Sequence, residues 1–157
     1  MGRIEARLNA LGIELPAAAN PVANYVPYVL SGPWLVISGQ IALGGDGKLD
    51  PAHVGKVGQS VSIEAGKAAA RRCAINLMAQ AKAALGDLDR INRCVRLGGF
   101  INVAPGFSSV ALVMNGASDL IVDVFGDQGR HARSTIGVAE LPFDSAVEVE
   151  AIFEVAA

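Results

Sequence analysis

Residues 147–155 read Val-Glu-Val-Glu-Ala-Ile-Phe-Glu-Val, which is a clear strand pattern. Apolar side chains at every second position alternate with Glu148, Glu150, Ile152 and Glu154. Strict alternation is typical of a strand that has one face against a core and the other face exposed. The end of the chain is therefore predicted to be a sheet strand. Its buried face consists of Val147, Val149, Ala151, Phe153 and Val155.

Outward from this strand, the chain alternates between helix and strand patterns. The predicted strands cover residues 25–30, 34–38, 91–103, 134–138 and 147–155, and the predicted helices begin at Ser60 or Ser62 and at Phe107. The order β-β-α-β-α-β-β, without a linker or repeat, predicts an α+β domain with one sheet covered by two helices on one face.

Two segments carry more detailed predictions. Residues 3–11 predict a short helix with Ile4, Leu8 and Leu11 on one face, ended by Gly12. Residues 91–103 predict a strand that turns alternate side chains toward the core. The predicted core side of that strand holds Ile91, Val95, Leu97, Ile101 and Val103.

Length and composition bound the function. The 157 residues fit a single domain, residues 1–157, with residues 1–15 as an N-terminal helical extension. Hydrophobic residues make up 52% and the net charge is -2, which excludes a disordered chain and argues against a nucleic-acid partner. No apolar run is long enough to span a membrane, and the charged start lacks the core of a signal peptide. We therefore expect a cytoplasmic protein.

The apolar composition also predicts self-association. Charged residues make up only 18% of the chain, so part of the surface is expected to be hidden in subunit contacts. The sheet face without helices is the natural candidate, and closed cyclic symmetry would cover it. Cys73 and Cys94 have no CxxC spacing and are predicted to be buried thiols. Neither His53 nor His131 has a second ligand at metal-binding spacing, so no metal site is expected.

The strongest cluster of candidate functional residues lies near the C-terminus, in residues 129–142, and contains Arg133. Two interpretations of this arginine stay open: a structural ion pair, or a planar fork that grips a ligand carboxylate. Glu148 and Glu150 share one face of the last strand, which would also suit a solvated face. His131 is expected to cap a turn or face solvent rather than to act in catalysis.

At these residues the chain resembles the Rid family, the reactive intermediate deaminases, which are also known as the YjgF or endoribonuclease L-PSP family. The motifs are Ser38-Gly39-Gln40 after a hairpin strand, Arg133-Ser134-Thr135 followed by Val138-Ala139-Glu140-Leu141-Pro142, and Val147-Glu148-Val149-Glu150-Ala151. Tyr25 matches a tyrosine upstream of the first motif. The N-terminal helix and a longer connection from Asn102 to Asn115 resemble a subgroup with an extra helix and an insertion.

The resemblance implies a chorismate-mutase-like homotrimer with three clefts between subunits. It implies hydrolysis of small enamino and imino acids to 2-keto acids and ammonia, with no cofactor. Arg133 would anchor the substrate carboxylate and Glu148 would hold the attacking water. Ser38, Gly39 and the amide of Thr135 would supply hydrogen bonds, and Tyr25 would line the cleft. Many members have cysteine where this chain has Thr135, which leaves the effect of a missing thiol open.

Other interpretations remain beside the deaminase. One is a trimer without activity that binds a small carboxylate as a sensor or chaperone. Another is an enzyme of related fold that acts on a different carbonyl or imine, and a third is an endoribonuclease, which the near-neutral charge argues against. Asn102, Phe107 and Asn115 lie around the insertion and could line the cleft, although their positions favour a helix cap or core packing; of the three, Asn102 is predicted to contact substrate.

Overall fold

The computed structural model describes residues 1–156. The strands are β1 (Tyr28–Ser31), β2 (Trp34–Ile41), β3 (Ile91–Asn102), β4 (Ala132–Val138) and β5 (Val147–Val155), and the helices are α1 (Arg3–Ala10), α2 (Ile63–Leu85) and α3 (Val110–Phe125). The strands form a single five-stranded sheet in the order β1-β2-β5-β3-β4. Neighbouring strands are antiparallel, except that β3 and β4 run parallel. The predicted α+β architecture is therefore confirmed.

Strand β5 lies in the middle of the sheet and confirms the alternation predicted for it. Its five apolar positions from Val147 to Val155 are buried, whereas Glu148, Glu150 and Glu154 are only partly buried. The buried side packs against α2 and α3, which both cover this one face. The opposite face, called the open face below, carries Trp34, Val36 and Ile136 with roughly half of each side chain exposed.

Helix α2 begins where the sequence predicted, because the Ser62 hydroxyl accepts a hydrogen bond from the Ala65 amide. It ends at Gly86, whose φ of 74° suits a residue without a side chain. Helix α3 crosses α2 very closely: a Cβ atom added at Gly116 would overlap the Lys67 backbone carbonyl. The absence of a side chain at Gly116 therefore allows the two helices to lie this close. In residues 1–156, no helix is both long and apolar enough to cross a membrane.

Strand β3 corrects the prediction of which residues face the core. Cys94 is buried and Val95 only partly so, because register shifts interrupt the pairing with β5 between Ile91 and Arg93 and between Cys94 and Arg96. Each shift adds a residue to one strand and reverses the faces beyond it. The predicted face is therefore wrong at Val95 and right again at Leu97.

The ends of some elements also differ from the prediction. Helix α3 begins at Val110 rather than Phe107, so Asn115 lies inside the helix and the connection after β3 covers residues 103–109. Helix α1 buries Ile4 and Leu8, but Leu11 follows its last turn and is 37% exposed. Asp89 accepts hydrogen bonds from the Arg3 and Ile4 amides and so caps α1 from another part of the chain. Cys73 and Cys94 are free and buried, as predicted.

Candidate functional site

A bulge in strand β2 shapes one half of the candidate site. Ile37 pairs with Ala151 and Gln40 pairs with Val149, so Ser38 and Gly39 together face the single residue Glu150 of β5. Such a bulge leaves a residue outside the regular ladder and re-aims its neighbours. The sequence motif Ser38-Gly39-Gln40 is thus a place where the backbone leaves the regular strand pattern.

Gly39 is required to be small because it lies against Glu148. A Cβ atom at position 39 would be 2.9 Å from Glu148 Cδ and 3.0 Å from its Oε1. Ser38 ties the same segment to the chain before β1: its amide donates to the Pro27 carbonyl at 2.9 Å and its hydroxyl to the Val26 carbonyl at 2.8 Å. The bulge therefore fixes the position of the Glu148 carboxyl and of the segment that carries Tyr25.

Three of the predicted site residues line one cavity of about 210 Å³. Tyr25, Gly39 and Glu148 share this cavity with Phe143, which the sequence analysis did not identify. The remaining lining residues are Ala19, Asn20, Pro21, Val22, Pro27, Gln40, Ile41, Leu43 and Pro142. The wall is mostly apolar, with one carboxylate inside it. A mostly apolar cavity with a few polar groups is typical of a site for a small molecule.

The Glu148 carboxyl is suited to exchange protons. Burial in the cavity wall raises its pKa above the usual value, and the negative charge of Glu150 raises this pKa further. Glu150 itself pairs with Arg96 at 3.3 Å, whereas Glu148 has no cation within salt-bridge distance in residues 1–156. A carboxylate that is half-buried and lacks a counter-ion is a candidate general base.

Arg133 belongs to the other half of the candidate site, on edge strand β4. Its Nη1 donates to Asn115 Oδ1 at 2.9 Å and to Ser118 Oγ at 3.2 Å, both on α3. In the described part of the chain it forms no ion pair with a carboxylate, so the structural ion-pair interpretation finds no support. The half-buried guanidinium keeps its positive charge available to an anion.

A chain of hydrogen bonds from Gly129 through His131 and Ser118 holds the Arg133 guanidinium in place. His131 Nδ1 lies 2.6 Å from the Gly129 carbonyl, and His131 Nε2 lies 2.9 Å from Ser118 Oγ. Because a carbonyl only accepts, Nδ1 carries the proton, and Nε2 then accepts from the Ser118 hydroxyl. That hydroxyl oxygen in turn accepts from Arg133. Burial lowers the pKa of His131, and the charge of Arg133 lowers it further, which favours this neutral form.

Within one chain the two halves do not meet. Arg133 pairs with Leu97, which is buried under the helices, whereas Glu148 pairs with Phe100 on the open face. The two charged groups therefore lie on opposite faces of the sheet, on strands that β3 separates. Thr135 lies on the same face as Arg133, and its buried Oγ1 has no hydrogen-bond partner in residues 1–156. An unpaired buried hydroxyl is costly and is a ready contact for a ligand.

Asn102 lies outside the cavity that Glu148 lines. Its side chain is fully buried; Nδ2 donates to Asp144 Oδ1 at 2.9 Å and to the Ser145 carbonyl at 3.3 Å, and Oδ1 accepts from Lys56 Nζ at 2.9 Å. These contacts support the turn before β5 rather than reaching the cavity. Contact between Asn102 and substrate stays a prediction. Among the described residues, no group of three His, Cys, Asp or Glu side chains is placed to hold a metal ion.

The same combination of fold and motifs occurs in known proteins. A family model described as "YjgF/chorismate_mutase-like, putative endoribonuclease" matches residues 5–155. The chain belongs to this family. The resemblance to the Rid family and the chorismate-mutase-like fold are therefore confirmed, while the proposed subgroup with an insertion stays a prediction.

Several known proteins resemble the chain over nearly its whole length. Protein TCP17 of Trypanosoma cruzi is 51% identical over 154 residues, covering 98% of this chain and 94% of that protein. The crystal structure of Atu1372 from Agrobacterium tumefaciens, a protein with unknown function, is 47% identical with a TM-score of 0.90 and covers 98% and 93% of the two chains. A putative endoribonuclease from Shewanella oneidensis MR-1 is 37% identical with a TM-score of 0.92, covering 97% and 99%.

More distant structures share the fold alone. RidA from Psychrobacter sp. PAMC 21119 is 24% identical with a TM-score of 0.62, and the match covers 90% of this chain and 96% of that one. Escherichia coli TdcF, solved with bound serine, is 23% identical with a TM-score of 0.64, covering 92% and 97%.

Proposed function

We propose that the protein is an enamine/imine deaminase that hydrolyses small 2-imino acids to 2-keto acids and ammonia in a cleft between copies of the chain. The observation that carries this proposal is the Glu148 carboxyl, which lines a mostly apolar cavity with a raised pKa and without a cation partner. A group of this kind is suited to remove a proton from water. Binding of serine by TdcF supports a carboxylate ligand for this fold.

The proposed reaction needs an anchor, a base and little else. The imine carbon of a protonated 2-imino acid is already electrophilic, so no metal or covalent nucleophile is required. Arg133 holds the substrate carboxylate through two parallel hydrogen bonds. Glu148 accepts a proton from the attacking water and returns it to the nitrogen of the carbinolamine. The C–N bond then breaks and ammonia leaves, while the carbinolamine hydroxyl gives its proton to Glu148 and becomes the carbonyl of the keto acid. General base help of this kind is worth about 100- to 10,000-fold.

The position of Arg133 and Glu148 on opposite faces favours a site shared between two copies. The edge strand β4 of one copy would supply Arg133 and Thr135, and the cavity of the next copy would supply Glu148 and Tyr25. When two different surfaces of the same chain bind each other, successive copies form a closed ring if the rotation from one copy to the next divides a full turn. The proposed homotrimer is a ring of this kind. The half-exposed apolar side chains Trp34, Val36 and Ile136 on the open face would then be covered.

The experiment generates 2-iminobutyrate from threonine with a threonine dehydratase and follows 2-ketobutyrate and ammonia. The native protein is expected to accelerate both, and Arg133→Ala and Glu148→Gln are each expected to lose the acceleration. Arg93→Ala removes an exposed arginine outside both half-sites and serves as the matched control. A native protein without activity that still binds 2-ketobutyrate through Arg133 would favour the non-catalytic binding trimer instead.

A mixing experiment tests the shared site directly. Arg133→Ala and Glu148→Gln chains, unfolded and refolded together, form some clefts that combine an intact Arg133 from one chain with an intact Glu148 from its neighbour. Random assembly in a ring restores about a quarter of the clefts. Activity near that fraction is expected, although each variant alone is inactive. No recovery in mixed oligomers would show that both residues act within the same chain.

A further inference from the structure

The turn before β5 carries the most strained backbone of the site. Phe143 has φ 56° and ψ 22°, and the next residue, Asp144, has φ 57°. Phenylalanine rarely adopts this left-handed conformation, because its Cβ crowds the carbonyl that follows. Residues in such conformations persist only where the surrounding contacts impose them, and they concentrate at ligand sites.

A hydrogen-bond network around the buried Asn102 side chain holds this turn in place. Asn102 donates to Asp144 Oδ1 at 2.9 Å and is itself held by Lys56 at 2.9 Å. The Gly55 amide donates to the Asp144 carbonyl at 2.7 Å, so Asp144 is held through both its side chain and its backbone. Lys56 also contacts the Ala139 carbonyl and lies 3.7 Å from Glu140, so the network reaches back to the preceding motif.

The strain places Phe143 at the mouth of the Glu148 cavity. The phenyl ring is 74% exposed and so contributes little to the core, yet it lines the same cavity as Glu148 and Tyr25. Val22, 90% exposed, stands at this rim as well. Large apolar side chains of this kind normally avoid water, so an apolar group bound at this rim would gain contact with both of them.

We propose that Phe143 is a specificity-determining residue and that the cavity takes the apolar side chain of the substrate, so that imines of branched or aromatic 2-amino acids are preferred over the imine of alanine. This inference rests on the proposed function, because it assigns the side-chain end of the substrate to the same cleft. Glu148 lies inside the cavity, so an imine carbon held beside it directs its substituent toward the rim. Phe143 and Tyr25 there offer apolar surface and no charge.

The test measures affinity for the 2-keto acid products, which bind without turnover. Pyruvate, 2-oxobutyrate, 4-methyl-2-oxopentanoate and phenylpyruvate are titrated calorimetrically into native protein, Phe143→Ala and Leu11→Ala. Hydrophobic pockets discriminate about tenfold or more for each methylene that they enclose, so the native protein is expected to bind 4-methyl-2-oxopentanoate at least about tenfold more tightly than pyruvate. Phe143→Ala should bring the two affinities within about twofold of each other and leave the pyruvate affinity nearly unchanged. Leu11→Ala removes an exposed leucine outside the cavity and should behave like the native protein.

A stability measurement separates this role from a structural one. Phe143→Gly relieves the left-handed strain, so the melting temperature is expected to rise while the preference for large side chains disappears. A lower melting temperature would show that the ring supports the fold or a subunit contact, and equal affinities for all four acids in the native protein would also overturn the inference. Turnover of imines made by an amino-acid oxidase is scored separately. If affinity rises with the size of the keto-acid side chain but no imine is turned over, the deaminase proposal is rejected and the specificity proposal stands. If imines are turned over but all four keto acids bind equally, the specificity proposal is rejected and the deaminase proposal stands.

Discussion

Substituting Gly39 by alanine should reduce activity far more than stability. The added Cβ would lie 2.9 Å from Glu148 Cδ, and ordinary van der Waals contact begins at 3.4 Å, so the carboxyl must move by about half an ångström or change rotamer. A misplacement of about 1 Å costs a catalytic group roughly 100-fold, so kcat/KM for 2-iminobutyrate is expected to fall about 10- to 100-fold. Because the clash meets the end of a flexible side chain, the free energy of unfolding should change by less than about 1 kcal/mol.

Gly98→Ala provides the matched control for Gly39→Ala. Its Cβ would lie 2.7 Å from Glu150 Oε1, so it displaces the neighbouring carboxylate, which pairs with Arg96 and has no proposed role in the reaction. Steady-state kinetics and urea unfolding of both variants give the comparison. Equal losses of activity in the two variants, or full activity in Gly39→Ala, would refute the assignment of Glu148 as the base.

Three further changes test other parts of the structure. Gly116→Ala should lower the free energy of unfolding, measured by urea denaturation, by about 1–3 kcal/mol because the added Cβ meets the Lys67 carbonyl. This loss is expected although alanine has a better helix propensity than glycine by roughly 1 kcal/mol. A gain in stability would contradict the close helix crossing. Glu148→Gln should raise the melting temperature at pH 8. The pKa of Glu148 is raised in the folded state, so the native protein loses stability as the pH rises through that pKa, and the variant does not. Below about pH 4 the glutamate is protonated and as uncharged as the glutamine, so the difference in melting temperature should vanish. Ser118→Ala removes one acceptor of Arg133 and should raise KM about fivefold, the value of one hydrogen bond, with kcat nearly unchanged.

The sequence predicted the elements better than their faces. The buried face of β5 was predicted correctly because the extra residues of the bulges lie on β2 and β3, so β5 itself keeps a regular alternation. In β3 the same reasoning failed at Val95, because two register shifts against β5 change which side chains point to the core. Bulges depend on how two strands pair, so the sequence of one strand does not show them.

For the candidate site, the motifs identified the residues but not their arrangement. The resemblance named Arg133 and Glu148, and only the register showed that they lie on opposite faces of the sheet. No sequence pattern pointed to Phe143, because Leu141-Pro142-Phe143-Asp144 is an ordinary turn sequence and a left-handed phenylalanine has no sequence signature. The sequence leaves Asn115 open as a cleft residue, a helix cap or a core residue, and the structure shows that its side chain contacts Arg133.

Three departures from regular structure share the cavity of Glu148, and none of them is needed by the fold. A regular pairing of β2 with β5 would not require the bulge at Ser38 and Gly39. A paired or exposed carboxylate would be more stable than Glu148, and a glycine would suit position 143 better than phenylalanine. Each departure costs stability, and real proteins place such costs where function requires them. Arg133 shows no comparable departure, since the side chains of Asn115 and Ser118 accept hydrogen bonds from its guanidinium. The departures from regular structure are therefore concentrated around the proposed base, Glu148, whereas the proposed anchor, Arg133, is held by regular hydrogen bonds on the edge strand.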